Sequence, residues 1–260
     1  MKLTWLGRSC FQLTTRYQTR IIFDPYLDVY RERIKTSFPL PEMICISHGH
    51  LDHFADVPDL VRGDSPALVV AIPHLCRALR KLAPETQHRL FPIPWGDGVE
   101  VQGVHFYAFR SPPMGTSLYD MIEEFGAEKV LDFLQAFRQL ADDILYLPLT
   151  SFGVETDGLR VLHFVAEDEA EEDGVDVAAM PSDIGARFSP DVALVSVNPG
   201  EEERSAEYAA ALGAPLVIPH HYRAYGKLPA ADLDVFAQRL ESLGRDIELR
   251  VMEEMETITL

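Results

Sequence analysis

Residues 47–54, Ser47-His48-Gly49-His50-Leu51-Asp52-His53-Phe54, gather four metal-competent side chains into six positions. His48, His50, Asp52 and His53 stand at i, i+2, i+4 and i+5, directly after Met43, Ile44, Cys45 and Ile46, an apolar run that reads as a buried strand. Imidazole nitrogen and carboxylate oxygen are ligands that zinc and its first-row neighbours accept. A sharp loop at a strand's end can aim alternating side chains at two adjacent points, so the segment predicts a metal site. The competing reading is a polar loop with incidental histidines. Asp168 and the pair His220 and His221 are also metal-competent, and each follows a predicted strand. Loops leaving the same edge of stacked sheets can converge although they are distant in sequence.

Strands are expected at 3–6, 10–14 and 20–24. The second alternates apolar and polar residues as a half-buried antiparallel strand does, and the third ends in an Asp24-Pro25 turn. A loop rich in Tyr, Arg and Pro spans 25–41; a short helix is expected at 57–61, a strand at 67–72, a helix at 73–82 and a hairpin over 99–109. From 117 to 145, Leu118, Ile122, Phe125, Val130, Phe133, Leu134, Phe137 and Leu140 recur at helical spacing, which predicts two amphipathic helices parted near Gly126. Strands resume at 151–155 and 160–166 around a Thr156-Asp157-Gly158 turn. The acidic run 167–173 reads as a solvated loop. Strands at 192–197 and 216–218 enclose a helix at 203–212, and a helix at 231–243 leads to a last strand at 246–252. With no solenoid repeat and no long linker, the expectation is one domain over 1–260 carrying a helical insertion at about 112–147.

The formal net charge of −18 over 260 residues repels a phosphate backbone, and no run of Lys and Arg counters it, so nucleic acid is excluded as a general partner. Cys10, Cys45 and Cys76 are odd in number and lie in apolar contexts, which suits core residues in a reducing cytosol. No apolar stretch approaches the roughly 18 residues of a membrane span, and the N-terminus lacks a signal-like apolar region. A cytoplasmic protein without membrane association is expected.

The chain resembles the metallo-β-lactamase superfamily, in particular its ascorbate-phosphate-lactonase-like branch. The signature H-x-H-x-D-H is matched in full by His48, His50, Asp52 and His53. Trp5-Leu6-Gly7-Arg8-Ser9-Cys10-Phe11 resembles the branch's W-L-G-H-[AS]-x-F opening, and Ile22-Phe23-Asp24-Pro25 its f-D-P turn. Ser151-Phe152-Gly153-Val154-Glu155, Phe164-Val165-Ala166-Glu167-Asp168 and Ile218-Pro219-His220-His221-Tyr222 are similar to three later motifs of the branch. The resemblance implies a four-layer αββα sandwich of two mixed β-sheets flanked by helices, with a metal cleft along one edge. It places His48 and His50 at a first metal, Asp52, His53 and His221 at a second, and Asp168 between them. A hydroxide held by one or two divalent ions, zinc first and manganese or iron otherwise, would be the nucleophile, with Asp52 steering the water or taking its proton.

Two departures bear on this. Arg110, in Ala108-Phe109-Arg110-Ser111, stands where the family carries the first metal's third histidine, and a guanidinium is no metal ligand. Glu167 replaces the glycine beside Asp168, and the first site keeps His48, His50 and Asp168 unless Glu167 or Glu169 turns inward. Arg8 stands where the branch often has histidine. Its structural reading is a counter-ion to Asp24 or to the acidic loop; its functional reading, shared with Arg110, is a clamp on a substrate carboxylate or phosphate. The P-x-H pattern favours His221 over His220, leaving His220 as a substrate contact. Strand alternation sets His163 on the face opposite Asp168, and His74, His88 and His105 read as surface or core residues. The expected activity is hydrolysis of a small ester, lactone or phosphodiester, anionic if Arg8 or Arg110 serves as the clamp. Its rival is a degenerate, non-catalytic member that binds a metal or ligand as sensor or scaffold. The insertion's helices either cap the cleft or form a homo-oligomer surface.

Overall fold

The computed structural model describes residues 1–26, 40–63, 65–111, 118–136, 149–166, 179–224, 228–244 and 246–260. Two compact units are distinguished, Met1–Ala108 with Phe133–Leu147 and Glu253–Leu260, and Phe109–Asp132 with Pro148–Met252.

Seven strands of the first unit form one mixed sheet: β1 (Lys2–Gly7), β2 (Cys10–Thr14), β3 (Arg20–Phe23), β4 (Met43–Ile46), β5 (Leu68–Ala71), β6 (Leu90–Pro92) and β14 (Thr257–Thr259). Their order is β14-β1-β2-β3-β4-β5-β6. Pairing is antiparallel from β14 to β3 and parallel from β3 to β6. β4 is buried at every position, as the unbroken apolar run requires of a strand with parallel neighbours on both sides. Helices α1 (Leu51–Phe54) and α2 (Val57–Val61) follow β4, and α3 (Pro73–Leu82) follows β5. Gly7 and Arg8 turn β1 into β2 with φ of 103° and 50°, and the Trp5 indole fixes that left-handed turn by donating to the Arg8 carbonyl at 2.9 Å.

The second sheet has the order β13-β12-β11-β10-β9-β8-β7. Its strands are β7 (Gly98–Val101), β8 (Val104–Arg110), β9 (Thr150–Thr156), β10 (Leu159–Phe164), β11 (Val192–Ser196), β12 (Leu216–His220) and β13 (Glu248–Leu249). β7 and most of β8 are counted in the first unit. Pairing is antiparallel at the two hairpins and parallel from β10 to β13. In the expected insertion, α4 (Leu118–Phe125) and α5 (Ala127–Ala136) are parted by Gly126 at φ 84°. Three helices alternate with the later strands, α6 (Ala179–Phe188), α7 (Glu202–Leu212) and α8 (Leu233–Ser242). Two mixed sheets flanked by helices, the αββα arrangement expected from sequence, are thus what the chain adopts. No described helix is long and apolar enough to cross a membrane.

Helices α6 and α7 approach closely because Gly185 lacks a side chain: a Cβ there would overlap the Leu212 carbonyl and lie 3.0 Å from the Ala211 oxygen. Alanine would gain up to about 1 kcal/mol of helix propensity, but the obstruction is backbone and cannot rotate away. Gly185→Ala is therefore expected to lose about 1–3 kcal/mol overall, read as a lower urea midpoint at unchanged m-value; a stabilised variant would show that the helices separate freely.

The cysteines are buried and unpaired, as expected. Burial pushes the Cys10 and Cys45 thiols well up and Cys76 up to about 12, so none is a thiolate near neutral pH. The expected last strand is shorter than 246–252, being reduced to Glu248–Leu249 beside Leu216 and Val217.

Candidate metal centre

The histidine segment is not all loop. After Ser47, His48 and Gly49, the chain enters α1, whose first turn is closed by the His50 carbonyl accepting from the amides of His53 and Phe54 at 3.1 and 2.9 Å. Leu51 and Phe54 are buried and pin this turn to the core, so Asp52 and His53, between them, are buried as well. His48, His50 and His53 come together: the ring centroids of His48 lie 4.6 Å from His50 and 4.0 Å from His53. Three imidazoles so close in a dry site disfavour shared positive charge on the rings, which suits neutral rings arranged as ligands.

Asp24, fully buried at φ 42°, organises two of them. Its carboxylate accepts from the Ser47 amide at 2.7 Å, the Ser47 hydroxyl at 2.5 Å and His53 Nδ1 at 2.7 Å. With the Ser47 hydroxyl proton committed to Asp24, the Ser47 oxygen receives one from His48 Nδ1 at 2.9 Å. One carboxylate thereby places protons on Nδ1 of both His48 and His53, and in the neutral rings leaves the lone pairs on Nε2. A carboxylate or hydroxyl behind an imidazole, fixing its tautomer and orientation, is the support that metal-binding histidines use. The residues present therefore fit a divalent cation. The sequence marked Asp24 as a turn residue and a possible partner of Arg8, not as a support for histidines, and gave Ser47 no role.

Without a cation, the local charges favour a protonated His53. Burial opposes a charged His53, yet Asp52 and then Asp24 outweigh it and raise the imidazole from the usual 6.5 to about 10. His53 Nε2 lies 3.4 Å from Asp52 Oδ2, near enough for a charged imidazole to pair with that carboxylate. A raised histidine stabilises the fold fully below about pH 6.5, and that contribution is lost as pH rises through about 10. The metal-free protein is thus expected to show a falling thermal midpoint between pH 7 and 9.5, and the zinc-loaded protein a flatter profile. Equal slopes in differential scanning fluorimetry would contradict this.

Arg8 Nε donates to Asp52 Oδ2 at 3.2 Å, with both side chains buried. The left-handed turn at Arg8 is what brings this cation to Asp52.

In the second unit, strand alternation puts His163 of β10, Leu194 and Ser196 of β11 and His220 of β12 on one face. The opposite face carries Gly153 against Phe188 of α6 and Phe164 against Tyr208 of α7. His163 and His220 are fully buried and stacked, with centroids 5.0 Å apart and planes 8° from parallel. His221 follows β12 at φ 66°, nearly buried, and its Nδ1 meets Asn198 Oδ1 at 2.8 Å. Arg110 ends β8, half-buried, and the next residue, Ser111, bonds Ser151 through their hydroxyls at 2.6 Å. Asp168, Glu167 and Glu169 lie outside the described residues. His74, His88 and His105 are exposed. Asn198 was missed because a lone Asn in a turn carries no motif.

A family model described as a beta-lactamase superfamily domain matches residues 19–117. Among solved structures, a metallo hydrolase from the archaeon Ignicoccus hospitalis is similar at TM-score 0.70 and 21% identity, over 99% of this chain and 97% of that one. An isothiocyanate hydrolase from Delia radicum gut bacteria is similar at TM-score 0.64 and 15% identity, over 100% and 99%. The chain has the metallo-β-lactamase fold. Within that fold, a protein named a metal-dependent hydrolase from Methanosphaerula palustris is 28% identical over 97% of this chain and 95% of its own length. Another so named, from Rubrobacter xylanophilus, is 27% identical over 97% and 93%.

Proposed function

We propose that this chain is a metal-dependent hydrolase of the ascorbate-phosphate-lactonase-like branch, cleaving a small, anionic ester, lactone or phosphodiester. In this reading, as the family resemblance implies, Asp52, His53 and His221 hold one divalent cation. His48 and His50, with Asp168, offer a place for a second, zinc being the first choice and manganese or iron the others. The observation that carries the proposal is the Asp24 carboxylate, which directs the Nε2 lone pairs of His48 and His53 as a metal site needs. The relatives named as metal-dependent hydrolases support it.

A bound divalent cation supplies Lewis acidity and makes a coordinated water acidic near neutral pH. The chain's own residues do the rest. Asp52 orients the attacking water and receives its proton; Arg8, bonded to Oδ2, holds that carboxylate in one orientation. Arg110 grips the substrate's anionic group with its guanidinium fork, and His220, at the end of β12, contacts the substrate. The buried Arg8 cation also favours a second reading, a degenerate metal- or ligand-binding protein, because it adds fixed positive charge beside Asp52 and opposes cation loading.

Metal analysis coupled to turnover of generic phosphodiester and lactone substrates tests the proposal. At least one metal equivalent is expected, with turnover that a chelator removes and zinc or manganese restores. Metal uptake without turnover would favour the second reading, and neither uptake nor turnover would overturn the first.

A further inference from the structure

Resting on the metal reading of His221, we infer that Asn198 is a positioning residue that sets the tautomer and the donor strength of His221. Asn198 follows β11 and spans two strand ends. Its Nδ2 donates to the Ala166 carbonyl at 3.2 Å, and its Oδ1 lies 2.8 Å from His221 Nδ1. The amide's orientation is dictated by chemistry: a backbone carbonyl only accepts, so the NH2 group must face Ala166 and the oxygen must face His221. An amide oxygen also only accepts, so His221 Nδ1 carries the proton and the neutral ring presents Nε2 as its donor atom. Ala166 is itself fixed, since its amide and its carbonyl both bond the Ser196 hydroxyl at 2.9 Å. Asn198 is therefore referenced to a point just past β10 that is tied to the end of β11.

This support differs in kind from the one behind His53. There the partner is the carboxylate of Asp24; here it is a neutral carboxamide. An anionic partner draws the Nδ1 proton towards itself and strengthens Nε2 as a donor, whereas a carboxamide does so weakly. His53 is thus the strong imidazole ligand and His221 the weaker one, and the residue at 198 decides how weak. Replacing it by Asp should strengthen the imidazole; replacing it by Leu should release the tautomer and the ring.

The test is zinc affinity of the unsubstituted protein, Asn198→Asp and Asn198→Leu, measured by competition with a chromophoric chelator, with the thermal midpoint of each metal-free protein recorded. About 10- to 100-fold weaker binding is expected for Asn198→Leu, and binding at least as tight as the unsubstituted protein for Asn198→Asp; both metal-free midpoints fall, because the Ala166 carbonyl loses its Nδ2 donor in either variant. Long-range 1H–15N spectra of the metal-free protein should show the His221 proton on Nδ1. A His221 proton on Nε2, equal affinity in all three proteins, or an aspartate variant as weak as the leucine variant would overturn the assignment. No zinc uptake by the unsubstituted protein would overturn the metal reading itself, and the assignment with it.

Discussion

Asp24→Ala is expected to lose about 3–5 kcal/mol of stability, the cost of stripping one partner from a buried ion pair, and to bind zinc no longer. The pair is buried, with His53 Nδ1 at 2.7 Å from Asp24 Oδ2 and side-chain exposures of 0% and 1%. The truncation also leaves the Ser47 amide and hydroxyl without their acceptor. Each such loss costs about 1–3 kcal/mol when the donor stays dry, although relaxation keeps the total below the sum. Asp24→Asn separates the structural from the electronic role. It preserves volume, but its NH2 group must meet either a Ser47 donor or the His53 Nδ1 proton. A smaller stability loss is expected there, with zinc affinity still weakened about 10- to 100-fold. Urea unfolding of the metal-free proteins and chelator competition read the two effects apart. Undiminished zinc affinity in Asp24→Ala would mean that His48 and His53 are not oriented through this carboxylate.

Asp52→Asn is expected to lower turnover by about 10²- to 10⁴-fold, the range for removing a positioned proton acceptor. The same substitution strands Arg8, whose buried guanidinium then faces an amide in place of a carboxylate. Stability and turnover therefore fall together in the single variant, and a second change is needed to part them. Arg8→Met with Asp52→Asn replaces the stranded charge by an apolar chain of similar length; buried ion pairs exchanged for apolar groups are often neutral or stabilising. The double variant should regain the unfolding midpoint and stay inactive. Recovered turnover in it would show that the Asp52 charge serves only to pair Arg8, and would favour a non-catalytic role for this carboxylate.

Much of this arrangement was legible in the chain because it is local. β4 and the 48–53 segment are contiguous, so ligand chemistry and strand pattern lie in one window. The hairpins over 98–110 and 150–164 were found near their true limits, since turn residues such as Asp157 and Gly158, both at positive φ, mark them. What was missed is non-local or short. Asp24 reaches His53 across 29 positions, and nothing in an Asp-Pro turn announces a buried carboxylate. Arg8 meets Asp52 across 44 positions through a left-handed turn that only the folded β1–β2 pair defines, and Asp52 was not among the partners expected for it. β6 and β14 have three residues each, too few for a period, and they exist because β5 and β1 offer them an edge. α6 carries Pro181 in its first turn and Gly185 in its middle, residues that depress helix propensity, and its place comes from packing on α7.

The central claim is that imidazoles fixed from behind by Asp24 and Asn198 hold a divalent cation together with Asp52. Zinc content after exhaustive dialysis, compared between the unsubstituted protein and the single variants His53→Ala and His221→Ala, tests it most directly. The account predicts at least one retained equivalent in the unsubstituted protein and its loss in both variants, with each variant still folded by circular dichroism. Retention of the full equivalent in either variant, or less than one equivalent in the unsubstituted protein, would contradict it.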